Sequence, residues 1–169
     1  GALRLFAQQG LCQDALWLYD VMRAEGLAPD REACICLVHT ASALGLGTRA
    51  LFFFREASRF GKPSMRTCMT LLRVFKNSPH WEGAIGFLED MKAAGTAPDA
   101  LALNCVLGIC VSAAQLQAAE GVLRRWEDIA DVISCNILLK GYAQQADLPG
   151  AEALLQRMLR RGPEPNVIT

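Results

Sequence analysis

Residues 84–99 read AIGFLEDMKAAGTAPD, and the same order of residue types recurs at 15–30 (ALWLYDVMRAEGLAPD) and at 151–166 (AEALLQRMLRRGPEPN). Each stretch opens on an alanine that is followed three, four and seven residues later by larger apolar side chains. That spacing places all four residues on one face of a helix. The closing glycine, proline and aspartate or asparagine are residue types that end one helix and begin the next. Each stretch therefore predicts a packed helix, a tight turn and the start of another helix.

The pattern repeats along the whole chain. It also starts at Ala50 and at Ala119, and the five leading alanines are separated by 35, 34, 35 and 32 residues. Upstream of each alanine, another apolar pattern predicts a first helix, and the last of these begins near Ile133. Helix pairs this short cannot bury their apolar faces alone, so each repeat stacks on its neighbours. The sequence therefore predicts an all-α solenoid of stacked helix–turn–helix repeats.

The register of the alanines divides the chain into units, which we predict to form a single solenoid over residues 1–169. The predicted units are 1–30, which lacks its beginning, 31–64, 65–99, 100–131 and 132–166, and residues 167–169 begin a sixth. The pattern is already under way at the first residue and stops within a unit. We therefore expect further repeats on both sides in the natural chain.

Composition limits the classes of function. The apolar fraction of 52% is enough for a buried core and too high for a disordered chain. Seventeen basic and 17 acidic residues give a net charge of zero, whereas nucleic-acid-binding proteins usually carry excess positive charge. The longest apolar stretch, 101–114, is too short to cross a bilayer, and no signal or transit peptide is visible. We expect no membrane partner.

The seven cysteines favour free thiols over a framework of disulfides. Their number is odd, and the chain is long and rich in helix patterns. No CxxC pair is present, and Cys34 with Cys36 is too weak a signal for a zinc site. We expect small core residues in a reducing compartment.

The two-helix unit of about 35 residues, with A-x-x-L-[LYF]-x-x-M followed by G-x-x-P-[DN], resembles the pentatricopeptide repeat. Residues 131–144, DVISCNILLKGYAQ, resemble that family's first helix with its entry. The tetratricopeptide repeat is the near alternative, but its W-x-x-L-G-x-x-Y start is absent. The resemblance implies a right-handed α-solenoid that binds single-stranded RNA, about one base per repeat. It also implies a mitochondrial or plastid setting and a role in RNA stability, processing, editing or translation.

The resemblance further implies where bases bind. The fifth and last residues of a repeat would contact the base: Asn104 with Asp131 in the fourth repeat, associated with uridine, and Asn136 with Asn166 in the fifth, associated with a pyrimidine. The second residues of consecutive repeats would sandwich each base, and these are Leu101, Ile133 and Ile168. Asp131 and Asn166 also suit ordinary helix N-caps, so a purely structural role stays open for both.

Other repeats depart from the family pattern. The second offers apolar Ile35 and the third apolar Met69 at the base-contacting position, and neither can form a hydrogen bond to a base. The family's usual lysine late in the first helix is replaced by Gln8, Ala43, Asn77, Ser112 and Gln144. Three other basic residues of first helices are candidates for phosphate contact, namely Arg73, Lys76 and Lys140. These departures keep a rival hypothesis open: a protein–protein scaffold or structural subunit of an organellar assembly.

No catalytic pattern stands out. The sequence has no nucleophile elbow, no glycine loop that would cradle phosphate and no HExxH helix. His39 and His80 have no partner at metal-ligand spacing. We expect no enzyme activity, no cofactor and no metal. The three tryptophans, Trp17, Trp81 and Trp126, are expected to pack between repeats rather than to stack on bases.

Overall fold

The computed structural model describes residues 2–76 and 80–162, and throughout these ranges the regular structure is helical. The chain divides into two compact units, residues 1–97 and 98–169. The helices of the first unit are α1 Ala2–Gln8, α2 Cys12–Ala24, α3 Arg31–Ala43, α4 Gly47–Ser58, α5 Met65–Lys76 and α6 Trp81–Ala93. Those of the second are α7 Ala100–Ser112, α8 Leu116–Arg125, a 3-10 helix Glu127–Ile129, α9 Val132–Gln144 and α10 Leu148–Arg161.

Aspartate side chains fix the starts of three first helices. Asp30, Asp99 and Asp131 have extended backbones, and each carboxylate accepts a hydrogen bond from the backbone N–H three residues later, at 2.8 to 2.9 Å. Such caps satisfy donors that the first turn leaves unpaired. The residue that ends one repeat is therefore held at the first turn of the next.

The turns between first and second helices share one geometry. In the four of these turns that fall within the described residues, an N–H just after the left-handed residue bonds to the carbonyl five residues earlier, at 2.9 to 3.0 Å. Gly10 and Gly45 supply the positive φ in two turns, but Ala114 and Ala146 do so in the other two, with φ of 58° and 54°. A non-glycine residue rarely adopts this conformation. The hydrogen bond therefore holds the turn even where glycine is absent.

The first unit has an aromatic core. The leading alanines Ala15, Ala50 and Ala84 are fully buried, which allows neighbouring helices to approach closely. Phe53 packs edge-on against Tyr19, with ring centroids 4.8 Å apart. Such pairs add stabilisation beyond the burial of their area.

The second unit is held by aliphatic packing and by one polar link. Leu103 and Leu107 of α7 and Leu138 of α9 are buried, and the two helices pack against each other. The Tyr142 hydroxyl of α9 donates a hydrogen bond to a carboxylate oxygen of Glu120 on α8. Burial and this bond raise the pKa of Tyr142. These contacts position α9, which carries half of the candidate site.

The structure tests some of the predictions made from the sequence. Trp17 does not pack between repeats, because 66% of its surface is exposed, so that expectation was wrong for this residue. Trp81 and Trp126 are partly buried. The seven cysteines are free thiols, of which Cys34, Cys68, Cys110 and Cys135 are buried. Among the described helices, none has the length and apolar character needed to cross a membrane.

Candidate nucleic-acid interface

The second unit presents the same series of side chains on two packed first helices. Leu101 of α7 and Ile133 of α9 occupy the second position of their repeats, and they are 58% and 54% exposed. Asn104 and Asn136 follow three residues later on the same helix faces and are half-buried. An exposed apolar side chain beside a half-buried amide suits contact with the face and the edge of a base.

Asn104 and Asp131 are joined by a hydrogen bond. The Asn104 Nδ2 donates to Asp131 Oδ1 at 3.1 Å, although 27 residues separate the two in sequence. The cap at the start of α9 brings Asp131 to this place, because its carboxylate also accepts the Ser134 N–H at 2.9 Å. The two residues that the sequence paired are therefore together in the structure.

Ser134 forms a cluster with Asn104 and Asp131. Its side chain is fully buried, and its Oγ donates to Asn104 Oδ1 at 2.6 Å. The same Oγ accepts the backbone N–H of Asp131 at 3.1 Å, so Asp131 and Ser134 form a reciprocal capping box. Sequence reasoning missed this role, and the only signal was a serine three residues after the aspartate.

The cluster keeps Asp131 charged. Burial opposes the charge, but hydrogen bonds from the Ser134 backbone and the Asn104 amide outweigh it, and the pKa of Asp131 lies below its usual value. An amide nitrogen carries two hydrogens, and Asn104 gives one of them to Asp131. The pair thus offers one N–H donor beside a carboxylate acceptor.

The corresponding pair of the fifth repeat is Asn136 with Asn166. Asn136 lies on α9, half-buried, in the register of Asn104. Asn166 and Ile168 lie outside the described residues.

The candidate phosphate-binding residues are exposed. Arg73 and Lys76 lie near the end of α5, and Lys140 lies on α9 two turns after Ile133. By register, Arg73 and Lys140 occupy equivalent places in their repeats, seven residues after the second position. A mobile ammonium or guanidinium group on an exposed helix face can reach a phosphate oxygen.

Arg73 also lines a cleft of about 400 Å³ between α3 and α5, together with His39, Ser42 and Thr70. The Ser42 Oγ is buried and makes no hydrogen bond within the described part of the chain. Burial, assisted by the charge of Arg66, lowers the pKa of His39, so its imidazole is neutral near neutral pH. Sequence reasoning did not single out Ser42, because its burial depends on how α3 and α5 pack.

Metal ligation has no obvious place in this surface. Within residues 2–76 and 80–162, no three His, Cys, Asp or Glu side chains are grouped so as to hold a metal ion.

The fold and the repeated surface define a helical-repeat protein. Three family models match the chain: a PPR repeat over residues 2–27, a pentatricopeptide repeat domain over 53–113 and the PPR repeat family over 130–169. Together they cover most of the sequence. The chain belongs to the pentatricopeptide-repeat family, as its sequence pattern predicted.

Solved structures agree with this assignment. The chain is similar to the pentatricopeptide repeat protein PPR10 from maize, with 27% identity and a TM-score of 0.62 over 98% of this chain and 24% of that one. Two structures of PPR10 in complex with an 18-nt psaJ RNA element are 24% identical, with a TM-score of 0.61 over 99% of this chain and 25% of that one. The chain spans about a quarter of the length of these proteins. The predicted fold class is confirmed. No curated protein matches the sequence.

Proposed function

We propose that the chain binds single-stranded RNA along the exposed faces of its first helices and selects uridine at the Asn104–Asp131 pair. RNA binding in general is supported by membership of the pentatricopeptide-repeat family and by the likeness to PPR10, which is solved with RNA. The single observation that carries the base selection is the hydrogen bond between Asn104 and Asp131. It joins two residues that the family resemblance assigns to one base.

The chemistry of this pair suits uracil. The second hydrogen of the Asn104 amide faces a carbonyl oxygen of the base, and the Asp131 carboxylate accepts the adjacent ring N–H, directly or through water. Leu101 and Ile133 cover the two faces of the ring. Their apolar side chains exclude water, which strengthens the hydrogen bonds at the base edge.

The fifth repeat binds one further base, next to the base bound by the fourth. Asn136 with Asn166 takes a pyrimidine, and Ile133 with Ile168 sandwiches it, in the arrangement that the family resemblance implies. Two such repeats specify too little sequence to define a transcript, so the selection belongs to a longer array in the parent protein. We place that protein in a mitochondrion or plastid, where binding would protect RNA or present it for processing, editing or translation.

Phosphate contacts supply the remaining affinity. Arg73, Lys76 and Lys140 are exposed on first helices and would each neutralise a phosphate. The net charge of zero means that such contacts are few. We therefore expect modest affinity with a shallow dependence on salt.

A protein scaffold is the second candidate, and one observation favours it. Trp17 and Phe52 are 66% and 45% exposed, and each lies two residues after the leading alanine of its second helix. Exposed aromatic side chains are enriched in protein interfaces. A protein partner bound there would leave the first-helix faces unused.

Binding of short fluorescent RNAs, followed by anisotropy at low and physiological salt, separates the two functions. We expect oligouridine to bind more tightly than oligoadenosine, and the Asn104→Ala/Asn136→Ala variant to lose that preference. The control Trp17→Ala/Phe52→Ala alters only the second-helix face and should bind as the wild type does. Weak binding that is indifferent to the base and to the asparagines would reject base selection and leave the scaffold as the better account.

A further inference from the structure

We infer that Ser134, a residue of the fifth repeat, is a positioning residue for the base read by the fourth: its hydroxyl holds the Asn104 amide in the orientation that favours uracil over cytosine. This inference rests on the proposed function, and it adds a third residue to the pair that contacts the base. Ser134 itself is fully buried and would not touch RNA.

The hydrogen bonds fix the direction of the serine hydroxyl. A hydroxyl has one hydrogen, and the contact of Oγ with Asn104 Oδ1, at 2.6 Å, is shorter than its contact with Asp131 Oδ1, at 3.1 Å. The oxygen already accepts the Asp131 backbone N–H at 3.1 Å. The hydrogen is therefore donated to the carbonyl of the amide.

Two bonds then hold the amide of Asn104 at opposite ends. Its oxygen accepts from Ser134, and its nitrogen donates to Asp131. A flipped amide would set its oxygen against the carboxylate and its NH₂ against a hydroxyl oxygen that already accepts a hydrogen bond. Since rotation of the amide breaks both bonds, the N–H that remains stays directed outward.

The orientation decides which pyrimidine fits. Uracil offers a carbonyl acceptor beside a ring N–H donor, which matches an amide N–H beside a carboxylate. Cytosine offers an amino donor beside an unprotonated ring nitrogen, which is the opposite order. An amide free to rotate could present its oxygen to the cytosine amino group, so loss of the restraint reduces discrimination between the two bases.

The other repeats supply an internal comparison. At the equivalent place in the third repeat, Thr67 pairs its hydroxyl with Ser64 at 2.9 Å, and the base-contacting position of the preceding repeat is Ile35, which has no amide. In the sequence, Thr169 stands three residues after Asn166, as Ser134 stands after Asp131, although Thr169 lies outside the described residues. Thr67 is thus a matched control: its hydroxyl occupies the same helix position but has no amide to orient.

The test measures the affinity ratio for short oligouridine over oligocytidine in the full chain. We expect Ser134→Ala to lower this ratio about threefold to tenfold, the effect of one hydrogen bond. Ser134→Thr keeps the hydroxyl and should retain the ratio, whereas Ser134→Cys keeps a similar volume with a weak donor and should lower it. Thr67→Ala should leave the ratio unchanged, even if its melting temperature falls as far as that of Ser134→Ala.

The outcomes separate this inference from the proposed function. If the wild type and Ser134→Ala prefer uridine equally, the positioning role is wrong and the base-contacting pair stands. Ser134→Cys replaces Ser134→Ala in this comparison if the alanine variant does not fold. A wild type without a preference between the two pyrimidines contradicts both. An equal loss of preference in Thr67→Ala would assign the effect to general destabilisation and overturn the inference.

Discussion

At the scale of single residues, Asp131 has two structural tasks. Its carboxylate caps α9 through the Ser134 N–H, and it accepts a hydrogen bond from Asn104. Capping and base contact were alternatives in the sequence, but one carboxylate has enough acceptor sites for both. A helix cap therefore also places a functional group next to its partner in the preceding first helix.

The pH dependence of Asp131 gives a first prediction. Asp131→Ala should lower the free energy of unfolding by about 1 kcal/mol at neutral pH, because the cap is lost. The folded-state pKa of Asp131 lies below the usual 3.8, so the carboxylate stabilises the fold above that value and loses its effect as the pH falls through the folded-state pKa. Urea denaturation of the wild type and Asp131→Ala should show a difference at neutral pH that shrinks in acid.

A difference that grows as the pH falls would contradict this sign. It would mean that the protonated carboxyl, rather than the carboxylate, is the form held by its neighbours.

The residue roles predicted from the sequence are those that the family resemblance gives to certain positions of each repeat. Asn104, Asp131, Leu101 and Ile133 could be assigned because they occupy the fifth, last and second positions, to which the resemblance gives those roles. Ser134 could not be assigned, because its contact with Asn104 depends on how closely α7 and α9 approach. The spacing of residues within one repeat carries no information about the distance between these two helices.

Among the helices, close approach also requires small residues other than the leading alanines. Gly150, in the first turn of α10, lies against α9. A Cβ atom there would come within 2.6 Å of the Tyr142 Cδ1 and 2.7 Å of the Asp147 Oδ2. The ring cannot easily move away, because Tyr142 is buried and its hydroxyl is bonded to Glu120.

Replacing Gly150 by alanine should therefore destabilise the protein by about 1 to 3 kcal/mol through overpacking. Gly121, on α8, is the matched control, because a Cβ there meets nothing within 4 Å. Gly121→Ala should stabilise the chain by up to about 1 kcal/mol, since alanine favours the helix more than glycine does. Thermal and urea denaturation of the two variants would measure both changes in stability. If Gly150→Ala is as stable as the wild type, α9 and α10 pack less closely than the structure shows.

Helices were more predictable than turns. The leading alanines predicted a second helix in each repeat and the Gly–x–x–Pro signal predicted its end, because these features act locally. The fourth repeat lacks that signal, and α8 is only ten residues long and is followed by the 3-10 helix Glu127–Ile129. Ala114 at positive φ was not anticipated, since alanine carries no signal for that conformation.

At the scale of the whole molecule, fold and family followed from the repeat, whereas surface exposure did not. Trp17 was expected to pack between repeats because it lies in a second helix, yet its position two residues after Ala15 leaves it exposed. The division of the chain into five repeats, and the single solenoid over residues 1–169, stay predictions.

A balanced net charge predicts how salt should act on RNA binding. Arg73→Gln and Lys140→Gln should weaken binding to every RNA alike, and each should reduce the logarithmic salt slope by about 0.7, the value for one phosphate of a single strand. Base preference should not change. Arg59→Gln, whose side chain is 73% exposed at the end of the second helix α4, should affect neither quantity. If the salt slope stays constant in the first two variants, Arg73 and Lys140 do not contact RNA phosphates.

We predict that RNA lies on the first helices and places a base between Leu101 and Ile133. Photocrosslinking with thiouridine-containing RNA, followed by mass spectrometry of the crosslinked peptides, tests it most directly. We expect crosslinks within α7 and α9, near these two residues, and fewer of them in the Asn104→Ala/Asn136→Ala variant. Crosslinks confined to α2 and α4 around Trp17 and Phe52, or none above the background of an unrelated protein, would contradict it.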